Sequence, residues 1–233
     1  MREVFFPGAD GRIEGRYIEA THNKERAALV LHSHPINGGS LNDQIVKELC
    51  YRFISNDFSV LCTNFRGVGK SGGVFDDDNN QVIDSSLAVD WLMHMHQDTK
   101  IAYVAGVDFG SWVAMQLVMR RPEITNFISV STPCTKYDFS FLSPCPASGL
   151  FIHGDNDSVI PLAAAQDFVD KIIKRQQGGK IHQEVNFCEI QGGDHFFRDK
   201  MQEFGQVVNE YINGQLHNAR QHKRSTNSKF QSK

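Results

Sequence analysis

The sequence predicts an α/β fold, with a mostly parallel sheet covered by helices on both faces. Three observations carry this. Short continuous apolar runs alternate with stretches whose apolar residues recur at helical spacing. The runs from Ala27 onward lack the period-two pattern of a half-exposed strand, so they suit strands buried on both faces. An opening pair of runs, joined by the turn-rich Pro7-Gly8-Ala9-Asp10-Gly11, reads as an antiparallel hairpin.

The elements follow in order. Val4–Phe6 and Ile13–Ala20 form the hairpin, and Ala27–Leu31 is the first buried strand. Asp43–Ile54 carries Ile45, Val46, Leu49, Phe53 and Ile54 on one helical face. Phe58–Cys62 is a strand running into the glycine-rich loop Arg66–Gly73. Gln81–His96 is a helix, Ile101–Ala105 a strand, and Ser111–Arg120 a helix stopped by Pro122. Asn126–Val130 and Gly149–Ile152 are strands, Leu162–Arg175 is a helix, Val185–Ile190 a strand, and Lys200–Tyr211 the closing helix. Repeated βα units of this kind give a parallel sheet. Only Ser131 to Ser148 separates the two strands beyond the middle of the chain, too little for an inserted cap domain.

A chain of 233 residues suits one domain, here expected at 1–213, followed by a tail at 214–233. After Glu210 there are five Lys/Arg and no acid, so the body carries −8 against −3 for the whole chain. The tail is expected to be disordered, being polar, basic and poor in apolar residues. Such a charge balance gives no reason to expect a nucleic-acid partner. No apolar run approaches the ~18 residues of a membrane span, and Val4–Phe6 is too short for a secretory signal. The five cysteines are widely spaced without a C-x-x-C pair, which favours reduced thiols and a cytoplasmic setting over a disulfide or zinc framework.

In a parallel sheet the ligand site lies at the carboxyl ends of the strands. The strand ending at Ala105 is followed by Gly106-Val107-Asp108-Phe109-Gly110 and a helix. This is the spacing of a nucleophile elbow, where small residues at both ends let strand and helix pass closely. The central position holds Asp108. After Ile152 comes His153-Gly154-Asp155-Asn156-Asp157, and after the last strand Gly192-Gly193-Asp194-His195. The order is elbow, acid, histidine, the acid's task being to orient the imidazole and stabilise its cation.

These motifs resemble those of the α/β-hydrolases. More narrowly, the chain is similar to small capless bacterial hydrolases with an H-x-H-P-x-x-G-G motif, here His32-Ser33-His34-Pro35-Ile36-Asn37-Gly38-Gly39. A second family motif stands as Asn64-Phe65-Arg66-Gly67-Val68-Gly69-Lys70-Ser71, and the resemblance runs from about Val4 to Tyr211. It implies an α/β-hydrolase fold without a cap, a small-molecule substrate, His195 as base and Asp157 as its orienter. It also implies an oxyanion hole from the backbone N–H groups of Phe109 and His34, and no cofactor or metal. Relatives usually carry Ser where this chain has Asp108.

The aspartate leaves several readings open. Asp108 is a covalent nucleophile toward an sp³ carbon, its ester then cleaved by water that His195 activates. Against this stand the missing cap and Phe109 in place of the Trp that often follows such a nucleophile, Trp112 lying one helix turn on. Alternatively Ser111 is a shifted nucleophile, or Asp108 or His195 is a general base on water. Or the scaffold has altered or lost catalysis and binds a ligand or partner through the old cleft. Other signals read as structural. Gly67–Ser71 fails the phosphate-loop pattern because position 64 is Asn, and Asp76–Asn80 lacks the spacing of a calcium loop. His32/His34 and His94/His96 each lack a third metal ligand.

Overall fold

The computed structural model describes residues 1–76, 79–142, 144–177 and 183–230. Eight strands form one sheet in the order β1-β2-β4-β3-β5-β6-β7-β8. The hairpin strands are β1 (Arg2–Gly8) and β2 (Gly11–Ile18), and β2 pairs antiparallel to β4 (Ser59–Thr63). From β4 outward through β3 (Arg26–Leu31), β5 (Ile101–Val107), β6 (Asn126–Val130), β7 (Ser148–Gly154) and β8 (Val185–Ile190) every pairing is parallel. The expected mostly parallel sheet with an antiparallel opening hairpin is what the chain forms.

The pleat sends alternate side chains of each strand to opposite cores. In β3, Ala27, Leu29 and Leu31 enter one core while Ala28 and Val30 enter the other. The first core is roofed by α2 (Asn80–Met95), α3 (Phe109–Arg120) and α4 (Leu162–Gln177), the second by α1 (Gln44–Ser55) and α5 (Met201–Phe230). Two apolar faces explain why the inner strands read as unbroken apolar runs.

Several helix bounds differ from expectation by one or two residues, and two differences matter for the site and the tail. α3 starts at Phe109 rather than Ser111, because the elbow turns straight into it. α5 continues past Tyr211 to Phe230, taking in residues 214–230 of the expected tail. Its buried stripe has four-residue spacing, Phe204, Val208, Ile212 and Leu216, and the last two lie past the predicted end. Residues 231–233 of that tail lie outside the described residues. Between β6 and β7 the described residues form no helix, so no cap is inserted there. Among the described residues no helix is long and apolar enough to cross a membrane.

Candidate active site

Asp108 ends the β5–α3 connection at φ 49°, ψ −119°, a left-handed strain for a residue with a side chain. The crossing is close. A Cβ on Gly106 would run into the Gly110 backbone, and one on Gly110 into the carbonyls of Leu31 and His32. The glycines at both ends of the elbow are therefore steric requirements.

The Asp108 carboxylate is buried, 4% exposed. Its Oδ2 accepts from the His34 backbone N–H at 3.3 Å, and the nearby Phe109 N–H helps lower the carboxylate's pKa. The two donors expected to line an oxyanion hole thus point at the protein's own side chain. Its Oδ1 lies 3.6 Å from His195 Nε2, an ion-pair distance beyond a hydrogen bond.

His195, on the turn after β8, donates from Nδ1 to Asp157 Oδ2 at 2.7 Å. Asp157 Oδ1 accepts from the N–H groups of Val159 at 2.8 Å and Ile160 at 2.9 Å. Burial opposes charge on His195, but the Asp108 and Asp157 carboxylates outweigh it and lift the imidazole to about 9. Burial likewise works against ionising both acids, yet His195 and the backbone donors hold each below the ordinary carboxylate value. At neutral pH the site is an imidazolium between two carboxylates. The five residues proposed from sequence, Asp108, Asp157, His195, Phe109 and His34, meet here.

Other signals found different roles. His32 is buried, and burial lowers its pKa to about 4, so the ring is neutral. Its Nδ1–H donates to the Ser33 carbonyl and its Nε2 accepts from the Phe65 N–H at 3.0 Å. It therefore ties the β3 loop, which presents the His34 N–H, to the β4 loop. From sequence His32 reads as the first residue of the H-x-H-P motif and as an incomplete metal pair, neither of which shows this tie. His153 was seen only as a motif residue, yet its Nε2–H donates to the Ile160 carbonyl at 2.9 Å and braces the Asp157 turn. Ser131, at φ 48°, was not anticipated, and its Oγ donates to the His195 carbonyl at 2.7 Å. Only the position of Ser131 at the end of a predicted strand hinted at it.

Ser111 is fully buried and its Oγ has no hydrogen-bond partner, which removes it as a nucleophile. The Trp112 indole N–H donates to the Asp138 carbonyl. In the loop Asn64–Ser71 the backbone N–H of Lys70 is taken by Glu14 Oε2 at 2.6 Å, and Arg66 pairs with buried Asp84 at 2.7 Å. That loop is a brace between β2, β4 and α2. In Asp76–Asn80, Asp76 bonds Asn80 and Gln81, and Asp77 and Asp78 lie outside the described residues. His96 is buried against Tyr17 while His94 is exposed, so the two diverge. Among the described residues no three His, Cys, Asp or Glu are placed to hold a metal. A cavity of about 330 Å³ lies beside the triad rather than over it, lined by Ser33, Gly39, Gln44, Phe196, Arg198 and Met201 among others.

Elbow, acid turn and histidine turn on this sheet define a hydrolase scaffold, and the chain belongs to the alpha/beta hydrolase fold family, whose pattern matches residues 30–146. An uncharacterised protein of Rickettsia prowazekii is 42% identical over 215 residues, 91% of this chain and 89% of its own. A solved Agrobacterium tumefaciens structure, described as an alpha/beta hydrolase of unknown function, is 40% identical with a TM-score of 0.88, covering 93% of this chain and 97% of that one. An alpha-beta serine hydrolase homologue from Coxiella burnetii is 24% identical with a TM-score of 0.81, over 91% and 97% respectively, a likeness of fold.

Proposed function

We propose that the protein hydrolyses a small electrophile through a covalent ester on Asp108, with His195 and Asp157 completing the site. The observation that carries this is the division of labour within one carboxylate. Oδ2 accepts the His34 backbone N–H at 3.3 Å, while Oδ1 faces His195 Nε2 at 3.6 Å, beyond a hydrogen bond.

The chemistry follows from that division. A substrate ester carbonyl has no free hole to enter, since Asp108 fills it. Attack of a carboxylate on a carbonyl would also require an anhydride. Attack of Oδ1 on an sp³ carbon bearing a leaving group avoids both. The Oδ1–carbon bond forms, and the leaving group departs with the bonding pair. Alkylation removes one of the two negative charges beside His195, so its pKa falls, the imidazolium releases its Nε2 proton to solvent and the ring becomes a base. His195 then takes a proton from water, whose oxygen adds to the Asp108 carboxyl carbon. The resulting oxyanion on Oδ2 sits where the His34 and Phe109 N–H groups already point. Collapse expels the alcohol and restores the carboxylate.

The test is His195→Gln incubated with haloalkanes and epoxides, followed by peptide mapping. An alkyl ester that accumulates on the Asp108 peptide, but not in Asp108→Asn, is the expected result. Absence of any ester across the panel in folded protein would falsify the reading. The filled hole and the pre-formed ion pair also favour a second reading, a scaffold that binds without turnover. That reading predicts no ester, and no turnover that Asp108→Asn abolishes.

A further inference from the structure

Six aromatic rings converge beside Asp108, drawn from three loops and the first turn of α3, with Phe65 packed 5.5 Å from Phe109. Phe109 is fully buried at their centre. Its ring centroid lies 5.0 Å from His34, 5.6 Å from Phe75, 5.6 Å from Trp112 and 5.5 Å from Tyr137. His34 also meets Phe75 at 5.0 Å, and Trp112 meets Tyr137 at 5.3 Å. Phe65 is buried, whereas His34, Phe75, Trp112 and Tyr137 are only partly buried, so the cluster presents an aromatic surface as well as packing the loops.

The rim continues the same chemistry. Ile36, after β3, and Val74, after β4, are each 77% exposed, and Val159, beside the Asp157 turn, is 38% exposed. Apolar side chains held in water beside the site are surface that an apolar ligand would cover. The charge of the site points the same way. Two carboxylates around one imidazolium leave a net negative centre, which disfavours an anionic substrate. Arg198, the cation nearest in the chain to His195, lies over the Phe196 ring and 3.6 Å from Asp194.

We infer that the substrate is a neutral electrophile whose reacting sp³ carbon carries an aromatic or flat apolar group, seated on the wall formed by His34, Phe75, Trp112 and Tyr137. This rests on the covalent reading above and adds the substrate class. In such a step the Asp108 Oδ1–benzylic carbon bond forms as the carbon–halogen bond breaks, and halide leaves with the pair.

The experiment uses His195→Gln with benzyl bromide and allyl bromide, two activated primary electrophiles that differ by the ring. Each rate of ester formation on the Asp108 peptide is divided by the rate with free acetate. The expected benzyl-to-allyl ratio is about tenfold or more, equivalent to about 1.4 kcal/mol of extra binding. Phe75→Ala in the same background should bring the ratio toward one. Equal normalised rates, or a ratio that Phe75→Ala leaves unchanged, overturn the inference while the covalent reading stands. If neither bromide esterifies Asp108, the covalent reading falls and a second measurement decides the wall alone. Benzyl alcohol is titrated against tryptophan fluorescence in wild type and Trp112→Phe, which retains Trp91 on the distant Phe6–Tyr17 cluster. A saturable change lost in Trp112→Phe supports an aromatic subsite. No saturable change, or one that persists in Trp112→Phe, overturns it.

Discussion

The elbow at β5–α3 and the turn after β7 each present one aspartate to the same imidazole, and they hold it in opposite ways. At the elbow the backbone is constrained and the side chain is loose. Asp108 sits at φ 49° between glycines, yet Oδ1 has only an ion-pair contact at 3.6 Å. At the turn the backbone is unstrained and the side chain is locked. Asp157 has no positive φ, and its carboxylate takes two backbone N–H groups and the His195 Nδ1–H, all within 2.9 Å. On the covalent reading proposed above, the difference separates a group positioned to react from one positioned to hold. A nucleophile needs an oxygen with little to give up, whereas an orienting acid needs every lone pair engaged.

The largest effect that would break this comparison is on stability. Asp157→Ala orphans two backbone donors and a buried imidazolium, and should cost about 3–5 kcal/mol in urea unfolding. Asp108→Ala leaves His195 its 2.7 Å bond to Asp157 and orphans one donor, the His34 N–H, so it should cost less, about 1–2 kcal/mol. Equal losses would show that the elbow carboxylate is as firmly built in as the turn. Next in size, Gly110→Ala forces a Cβ against the carbonyls of Leu31 and His32 and should cost about 2–3 kcal/mol by the same assay. A near-neutral result would mean that the elbow backbone can relax.

Ser131→Ala removes the bond to the His195 carbonyl and should cost about 1–2 kcal/mol. It should also slow hydrolysis of the Asp108 ester more than its formation, because only the second step needs a placed base. The last effect depends on pH and concerns His195. Its folded pKa of about 9 exceeds the ordinary 6.5, so its stabilising contribution is complete below pH 6.5 and is lost as pH rises through 9. The slope is at most about 1.4 kcal/mol per pH unit. Unfolding curves across this window should lose the slope in His195→Gln, and a slope retained there would assign it to another group.

Much of the fold was legible because the inner strands are buried twice over. Ala27–Leu31 has no polar residue to betray a face, and the structure sends its residues alternately into two cores. The sequence missed the length of α5, because Ile212 and Leu216 lie among polar neighbours and only their four-residue step from Phe204 and Val208 marks the stripe. In the site, motif order was enough to nominate Asp108, Asp157 and His195. What it could not reveal is which atoms the backbone N–H groups face. That depends on the β3 loop, whose path is set by the neutral His32 ring between Ser33 and Phe65, a long-range tie with no local signature. Ser131 was hidden for the same reason, since its partner His195 lies 64 residues away in the chain.

The short connection from β6 to β7 has a kinetic consequence. With no cap to open, neither substrate arrival nor product departure waits on a domain motion. Turnover should then be governed by chemistry at Asp108, and a viscogen such as sucrose should leave kcat unchanged. On the covalent reading proposed above, the protein is a catalyst timed by bond cleavage, with its slow interval spent as the ester.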